Sequence, residues 1–186
     1  MDDSKIIELF FERSEQAISE TSEKYGSYCH YIAYSILQNE ADSEECVNDT
    51  YLKAWDSIPP MRPNRLQTFL GKITRNLSLN RWEKNSADKR GGGQVSLVLD
   101  ELDECIPSGE DTEQITENAV IKDVIDAFLN DLPASARKIF VRRYWYMDSV
   151  KEIARIYGFT ESKVTVTLFR TREKLKRVLE KEGITI

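Results

Sequence analysis

The residues best suited to chemistry lie near the end of the chain, in the run DSVKEIARIYGFTESKVTVTLFRTREKLKRVL (148–179). Two amphipathic helices joined by a short turn containing glycine form a helix-turn-helix, whose second helix fits the DNA major groove. On that second helix Glu161, Ser162, Lys163, Thr165, Val166, Thr167 and Arg170 fall outward, with Thr160 at its start. Ser, Thr, Lys and Arg can donate to base acceptors, and Val or a Thr methyl can pack on a thymine methyl. Arg172, Lys174, Lys176 and Arg177 follow, better placed for backbone phosphates than for bases. A second candidate lies earlier, where Lys72, Arg75, Asn76, Asn80, Arg81 and Trp82 mix cations, amides and an aromatic ring. Single-stranded nucleic acid is held by such a mixture, bases stacking on rings while cations track the backbone. No catalytic constellation accompanies them. His30 is the only histidine, and its neighbour Cys29 points about 100° away on a helix, so the pair makes no metal site. GGG at 91–93 lacks the following Gly-Lys-Ser/Thr of a phosphate-binding loop. No cofactor and no small-molecule substrate are expected.

Helical periodicity supplies the elements that must position these residues. Ser149 and Glu152 fit a capping box that starts a helix, with Val150, Ile153, Ala154 and Tyr157 as its buried stripe. Gly158 sits where a left-handed residue ends that helix, and Thr160 can cap the next, which turns Val164, Leu168, Thr171 and Leu175 inward. Upstream, Val120, Val124, Ala127 and Phe128 mark one helix, and Leu132-Pro133 opens another with Ile139, Phe140 and Tyr144 on its apolar face. In the first half, Tyr25, Tyr28, Tyr31, Ile32 and Ile36 recur at helical spacing. Asp42, Glu44 and Glu45 crowd the first turn of a helix carrying Val47, Tyr51, Ala54, Trp55 and Ile58, where they suit the helix dipole. Pro59, Pro60 and Pro63 break the chain into a rigid loop, and Leu66, Phe69, Leu70, Ile73 and Leu77 form one face of the helix that follows. The fold class is all-α.

The net charge of −6 over 186 residues looks wrong for a nucleic-acid binder until its distribution is read. Residues 1–60 carry four basic and thirteen acidic side chains, and residues 61–90 eight and two. Residues 91–118 carry no basic and eight acidic side chains, and residues 119–186 fourteen and nine. Two basic surfaces therefore alternate with two acidic ones, so a polyanion is repelled by the whole but attracted locally. The stretch 86–117 is glycine-punctuated and acidic, and reads as a linker between a front domain, 1–85, and a rear domain, 118–186. Its carboxylates at 100–104 and 110–113 read as solvated. Three unevenly spaced cysteines make no disulfide framework, the N-terminus shows no secretory pattern, and no apolar run reaches the ~20 residues of a membrane span. A cytoplasmic setting follows.

With those residues assembled, the chain resembles the extracytoplasmic-function (ECF) sigma factors, RNA polymerase sigma factors of the sigma-70 family. DSEECVNDTYLKAW (42–55) is similar to the family pattern DAED-x-x-Q-x-x-F-x-x-x-W, keeping Asp42, Glu44, Tyr51 and Trp55, with Asn48 where glutamine is usual. FLGKITRNLSLNRW (69–82) resembles WL-x-x-I-x-x-N-x-x-x-D through Leu70, Ile73 and Asn76. LPASARKIFVRRYW and EIARIYGFTESKVTVTLFRTREKL resemble the LP-x-x-x-R and EIA-x-x-x-G patterns of the rear domain, with Thr167 where arginine or lysine is common. The resemblance implies two small helical domains, sigma region 2 with three or four helices and the region 4 helix-turn-helix. Asp42, Glu44, Glu45, Asn48, Asp49, Tyr51, Leu52 and Trp55 would dock on the clamp of the polymerase largest subunit. Loop 58–65 with Arg62, Asn64 and Arg65, and helix 66–84, would hold the melted strand of the −10 element. The rear domain would sit on the polymerase flap and read the −35 element as duplex. An anti-sigma protein is a further implied partner. Two other classes of function remain open on the residues alone: a stand-alone helix-turn-helix regulator, and an interaction protein that never touches DNA.

Overall fold

The computed structural model describes residues 1–87, 94–103 and 115–184, and every regular element among them is a helix. The chain divides into two units, Met1–Gly91 and Gly92–Ile186, each with its own core.

The front unit is built from α1 (Asp3–Phe11), α2 (Gln16–Leu37), α3 (Glu40–Ser57) and α4 (Leu66–Ala87). Asn39 starts α3 by accepting a hydrogen bond from the Asp42 amide, and Asp42 and Glu40 lie in the first turn, where the dipole favours them. Apolar side chains from all four helices and the following loop meet in one core that includes Ile6, Phe10, Cys29, Val47, Ile58, Leu66 and Leu70. Helices α2, α3 and α4 pack through small residues, with Ala17, Ala33, Ala54, Thr21, Thr50, Thr74 and Ser78 buried between them. Each buried hydroxyl is satisfied by donating to a carbonyl one turn back in its own helix, as Thr50 does to Cys46 and Thr74 to Leu70. Thr50 also reaches Thr74 across the α3–α4 seam at 3.1 Å. Gly71 lets α4 approach α2, because a Cβ there would lie 2.5 Å from the Tyr28 hydroxyl. Cys29 and Cys46 are buried free thiols, and the burial pushes the Cys29 thiol up in pKa. His30 meets Glu40 at 3.0 Å.

The rear unit holds α5 (Gln94–Asp103), α6 (Ile115–Asp131), α7 (Ala134–Tyr144), α8 (Val150–Tyr157) and α9 (Glu161–Lys181). Pro133 precedes α7 as the sequence suggests. Arg137 reaches back from α7 to the Asn130 and Leu132 carbonyls, satisfying acceptors that the end of α6 leaves open. The core gathers Val95, Val98, Phe128, Leu132, Ile139, Phe140, Met147, Ile153, Val164, Leu168 and Leu175.

Helix α5 is the main departure from the sequence reading, since residues 94–103 fall within the stretch expected as linker. The remainder of that stretch lies largely outside the described residues, including the acidic run 110–113 and the glycines at 91–93. Val95 and Val98 are buried, and Leu99 and Leu102 half-buried, so α5 has the spacing of an amphipathic helix. Glu101, read as solvated, is corrected by its contacts. It accepts hydrogen bonds from Arg143 at 2.7 and 3.1 Å and from the Tyr144 hydroxyl at 3.0 Å, and Arg172 approaches at 3.5 Å. Arg143 is 1 % exposed, and its remaining terminal nitrogen donates to the Asp148 carbonyl at 3.0 Å. A buried guanidinium needs a buried anion, and α5 supplies it. Burial alone would raise the Glu101 pKa, but Arg143 and its neighbours outweigh it and hold the carboxyl below its usual range.

Glu101→Ala therefore leaves a buried cation unpaired and should cost the rear unit about 3 kcal/mol, read from amide hydrogen exchange in α7 and α9 of the full chain. Asp131→Asn, which removes an exposed partner of Lys174, should cost under about 0.5 kcal/mol. Because the folded pKa of Glu101 is depressed, its contribution is complete above the unfolded value of about 4.3 and is lost as pH falls through the lower folded value. The stability gap between wild type and Glu101→Ala should narrow as pH falls below the unfolded value of about 4.3.

Candidate nucleic-acid and protein interfaces

In the rear unit both helices of the α8–α9 pair are started by local hydrogen bonding. Ser149 accepts from the Glu152 amide at 3.1 Å, and the Glu152 carboxylate accepts from the Ser149 amide at 2.8 Å, which closes the capping box. The Ser149 hydroxyl, at 2.7 Å, and the Ser149 amide both donate to the Glu152 carboxylate and hold it below its ordinary pKa. Gly158 ends α8 at φ 65°, ψ 32°, and the Thr160 hydroxyl accepts from the Lys163 amide to start α9. Val164, Leu168, Thr171, Leu175 and Leu179 are buried beneath α9. The stripe that faces away from them contains Ser162, Lys163, Val166 and Arg170, all exposed.

The structure refines the roles of the neighbouring residues. The Thr160 side chain is a cap, so its oxygen is already engaged. The Thr165 and Thr167 hydroxyls donate to the Glu161 and Lys163 carbonyls, at 3.0 and 2.7 Å. Their hydrogens are therefore spent on the helix, and these residues offer methyl groups and acceptor lone pairs. The Lys163 ammonium lies 3.6 Å from the centre of the Phe159 ring, a cation–π contact that props it at the mouth of the turn. Arg172 turns away from the outward stripe to Tyr144, at 2.8 Å, and Glu101. Lys174 reaches Asp131 at 3.1 Å. Phe169, 56 % exposed beside Val166, was not among the sequence candidates. A large apolar residue in a helix reads as core, and only its three-residue spacing from Val166 marks it as outward.

In the front unit, α3 presents an acidic face. Glu44, Glu45 and Asn48 are exposed, Asp42, Asp49 and Trp55 are half-buried, and Leu52 stands 59 % exposed beyond them. Tyr51, counted with this face in the sequence, is 6 % exposed and belongs to the core. The groove between α2 and α3 is open and lined by His30, Tyr34, Glu44, Asn48 and Tyr51, with a volume of about 600 Å³.

Helix α4 presents the basic face. Lys72, Asn76 and Asn80 are exposed, and Arg75, Arg81 and Trp82 are half-buried. Burial lowers the pKa of the Arg75 guanidinium. Two of the expected strand contacts already hold acids of the chain itself. Arg81 forks onto Glu45 at 2.6 and 2.7 Å. Arg62 forks onto Glu8 at 2.8 and 3.1 Å and stacks over the Phe11 ring at 4.4 Å. These hydrogen bonds depress the Glu45 and Glu8 carboxyls and raise both guanidiniums. Asn64 and Arg65 are exposed in the loop before α4, together with Met61, a residue the sequence reading passed over. Among the described residues no three His, Cys, Asp or Glu side chains gather as a metal cluster, and no helix is long and apolar enough to cross a membrane.

Comparison with known proteins matches the two units to two regions of one family. Residues 22–87 match Sigma-70 region 2, and residues 122–175 match Sigma-70, region 4. The ECF RNA polymerase sigma factor SigE of Mycolicibacterium smegmatis is 24 % identical over 82 % of this chain and 57 % of its own length. The probable RNA polymerase sigma factor RfaY of Xanthomonas campestris pv. campestris is 24 % identical over 80 % of this chain and 36 % of its own length. The chain thus spans little more than half, and about a third, of these two relatives. The ECF RNA polymerase sigma factor SigM of Bacillus subtilis is 20 % identical over 86 % of this chain and 93 % of its own length.

The turn geometry carries a test of its own. Gly158 has nothing within 4 Å of a built Cβ, so replacing it engages backbone strain alone. Gly158→Ala should cost about 1 kcal/mol in urea denaturation, and Gly158→Asn should recover much of that loss, because asparagine tolerates the left-handed region.

Proposed function

The chain belongs to the sigma-70 family of RNA polymerase sigma factors, in the two-region ECF form, and from that premise we propose that it binds core RNA polymerase and directs promoter-specific initiation. The observation that carries the reading is the presence in one chain of an outward acidic helix, α3, and an outward recognition helix, α9. Acid suits a basic protein partner and repels DNA, while Lys163 and Arg170 suit DNA.

Glu44, Glu45, Asn48 and Asp49, with Leu52 as an apolar anchor, dock on the clamp of the polymerase largest subunit. A desolvated apolar residue ringed by charge is the arrangement that gives a protein interface both affinity and register. The exposed loop residues Asn64 and Arg65 and the α4 residues Lys72, Arg75, Asn76, Asn80 and Trp82 hold the melted strand of the −10 element. Cations follow its backbone and the indole offers a stacking surface. The rear unit sits by the flap and lays α9 in the major groove of the −35 element. There Arg170 and Lys163 meet guanine edges or phosphates, and Val166 and the threonine methyls meet thymine. RNA synthesis itself belongs to the polymerase. The role places the chain with that enzyme in the cytoplasm, and an anti-sigma protein would silence it by covering either face.

Purified chain added to core polymerase should start transcription at discrete promoters, mapped by transcript 5′ ends. Glu44→Lys with Asp49→Lys should abolish assembly with core, seen as loss of co-elution. Lys163→Glu with Arg170→Glu should leave assembly intact and reduce initiation more than about tenfold, since each base or phosphate contact is worth about 1–3 kcal/mol. A stand-alone regulator would instead bind duplex tightly without core and ignore the α3 changes, and a protein that never touches DNA would ignore the α9 changes.

A further inference from the structure

Arg81 stands at the joint between the two faces of the front unit. It belongs to α4, the strand-binding helix, yet its guanidinium is spent on α3, the docking helix. Both terminal nitrogens hold the Glu45 carboxylate, at 2.6 and 2.7 Å, and Nη1 also leans on the Asp42 carboxylate and carbonyl at 3.4 Å. Asn85 approaches the other Asp42 oxygen at 3.4 Å. The groove around them, of about 460 Å³, has Asp42, Glu45 and Asp49 on one wall and Asn80, Arg81 and Lys84 on the other. Arg81 is 23 % exposed and Glu45 61 %, so the anion is open to a partner while the cation is covered by the anion.

A carboxylate that holds Arg81 in a fork cannot offer the same geometry to a cation from outside. A guanidinium facing two carboxylates presents a local negative field to an approaching phosphate. The two binding events therefore act on one ion pair from opposite ends. We infer that Arg81 is kept out of the strand-binding surface in the free chain by Glu45 and Asp42, and that a cationic polymerase side chain taking Glu45 releases Arg81 to a strand phosphate. This rests on the function proposed above and adds a coupling to it: docking favours strand capture, and by reciprocity strand capture tightens docking. Arg62–Glu8 and Arg172–Glu101 are pairs of the same kind, but neither acid lies on α3, so neither connects the two faces.

The test uses the full chain without polymerase and a fluorescent random-sequence single strand of about 12 nucleotides, within the site size of such binders, followed by anisotropy at low salt. Glu45→Gln removes the anion that holds Arg81 and should tighten binding about fivefold, the scale of an exposed ion pair. Glu23→Gln, an equal change of net charge on the exposed side of α2, should give less than half that gain. Adding Arg81→Gln to Glu45→Gln should erase the gain. A Glu45→Gln effect no larger than that of Glu23→Gln, a gain that survives loss of Arg81, or no detectable binding by Glu45→Gln would each overturn the coupling. The wild-type chain assembled with core polymerase serves as reference on the same probe. If that complex fails to hold the strand, the functional reading itself fails. If it holds the strand and the free Glu45→Gln chain shows no gain, only the coupling fails.

Discussion

Like charges repel at range, and this chain carries six more acids than bases, so any surface that meets DNA must be separated from the excess or have it neutralised locally. The front unit does both. Six acids line α3, with others on α1 and α2, while Lys72, Asn76 and Asn80 lie outward on α4. The two helices pack through buried Ala54, Thr50, Thr74 and Ser78, and among the described residues no charged side chain is buried in the seam. Where charges of opposite sign do come together, at Arg81 and Glu45, they lie at the rim of that seam. Two faces of opposite sign can therefore share one small core.

The rear unit meets a related constraint by burying one charge. Arg143 is almost fully covered, and a guanidinium in that position is tolerated only with its donors satisfied. One partner comes from a distant part of the chain, Glu101 of α5, and another, the Asp148 carbonyl, from the loop just downstream that leads into α8. The same carboxylate also takes Tyr144 and lies against Arg172 of α9. One anion thus touches α7 and α9 and borders the loop that starts the helix-turn-helix. Burying a paired charge adds little net stability compared with an apolar substitute, but it penalises every arrangement in which α5 sits out of register.

How much of this was legible follows from how local each cause is. Ser149 with Glu152, Gly158, and Thr160 act within one turn of their own positions, and the sequence placed all three correctly. The acidic start of α3 and the proline break before α4 are equally local. Helix α5 was missed although Val95, Val98, Leu99 and Leu102 have helical spacing, because the acids between and after them carried the reading toward a solvated linker. Its stability depends on Arg143, forty-two residues away, and no window on the sequence contains both. The same limit applies to Arg62, Arg81 and Arg172. Their charge could be read from the sequence, but the carboxylates that occupy them lie on other helices. Tyr51 shows the converse: its spacing with Val47 and Ala54 marks it for the buried stripe of α3, and only the resemblance counts it with the acidic face.

The recognition helix follows the same physics and explains a dependence on the partner. Only Lys163 and Arg170 place cations toward the centre of its outward stripe, and Glu161 and Glu173 stand exposed on the same helix. Thr165 and Thr167 have given their hydroxyl hydrogens to the backbone, and Val166 and Phe169 offer apolar surface. Such a face can discriminate thymine methyls, but affinity for duplex rises with the number of phosphates neutralised, and here that number is small. Two cations at the centre of the stripe give the helix little duplex affinity from that term alone. In the proposed role it needs no more, because a chain held on the polymerase meets the promoter at a high effective concentration, and the two units add their contacts without each having to bind alone. Two cations at the centre of the outward stripe then suffice: in that role selectivity stays with the helix, while affinity is shared with the docking proposed for α3.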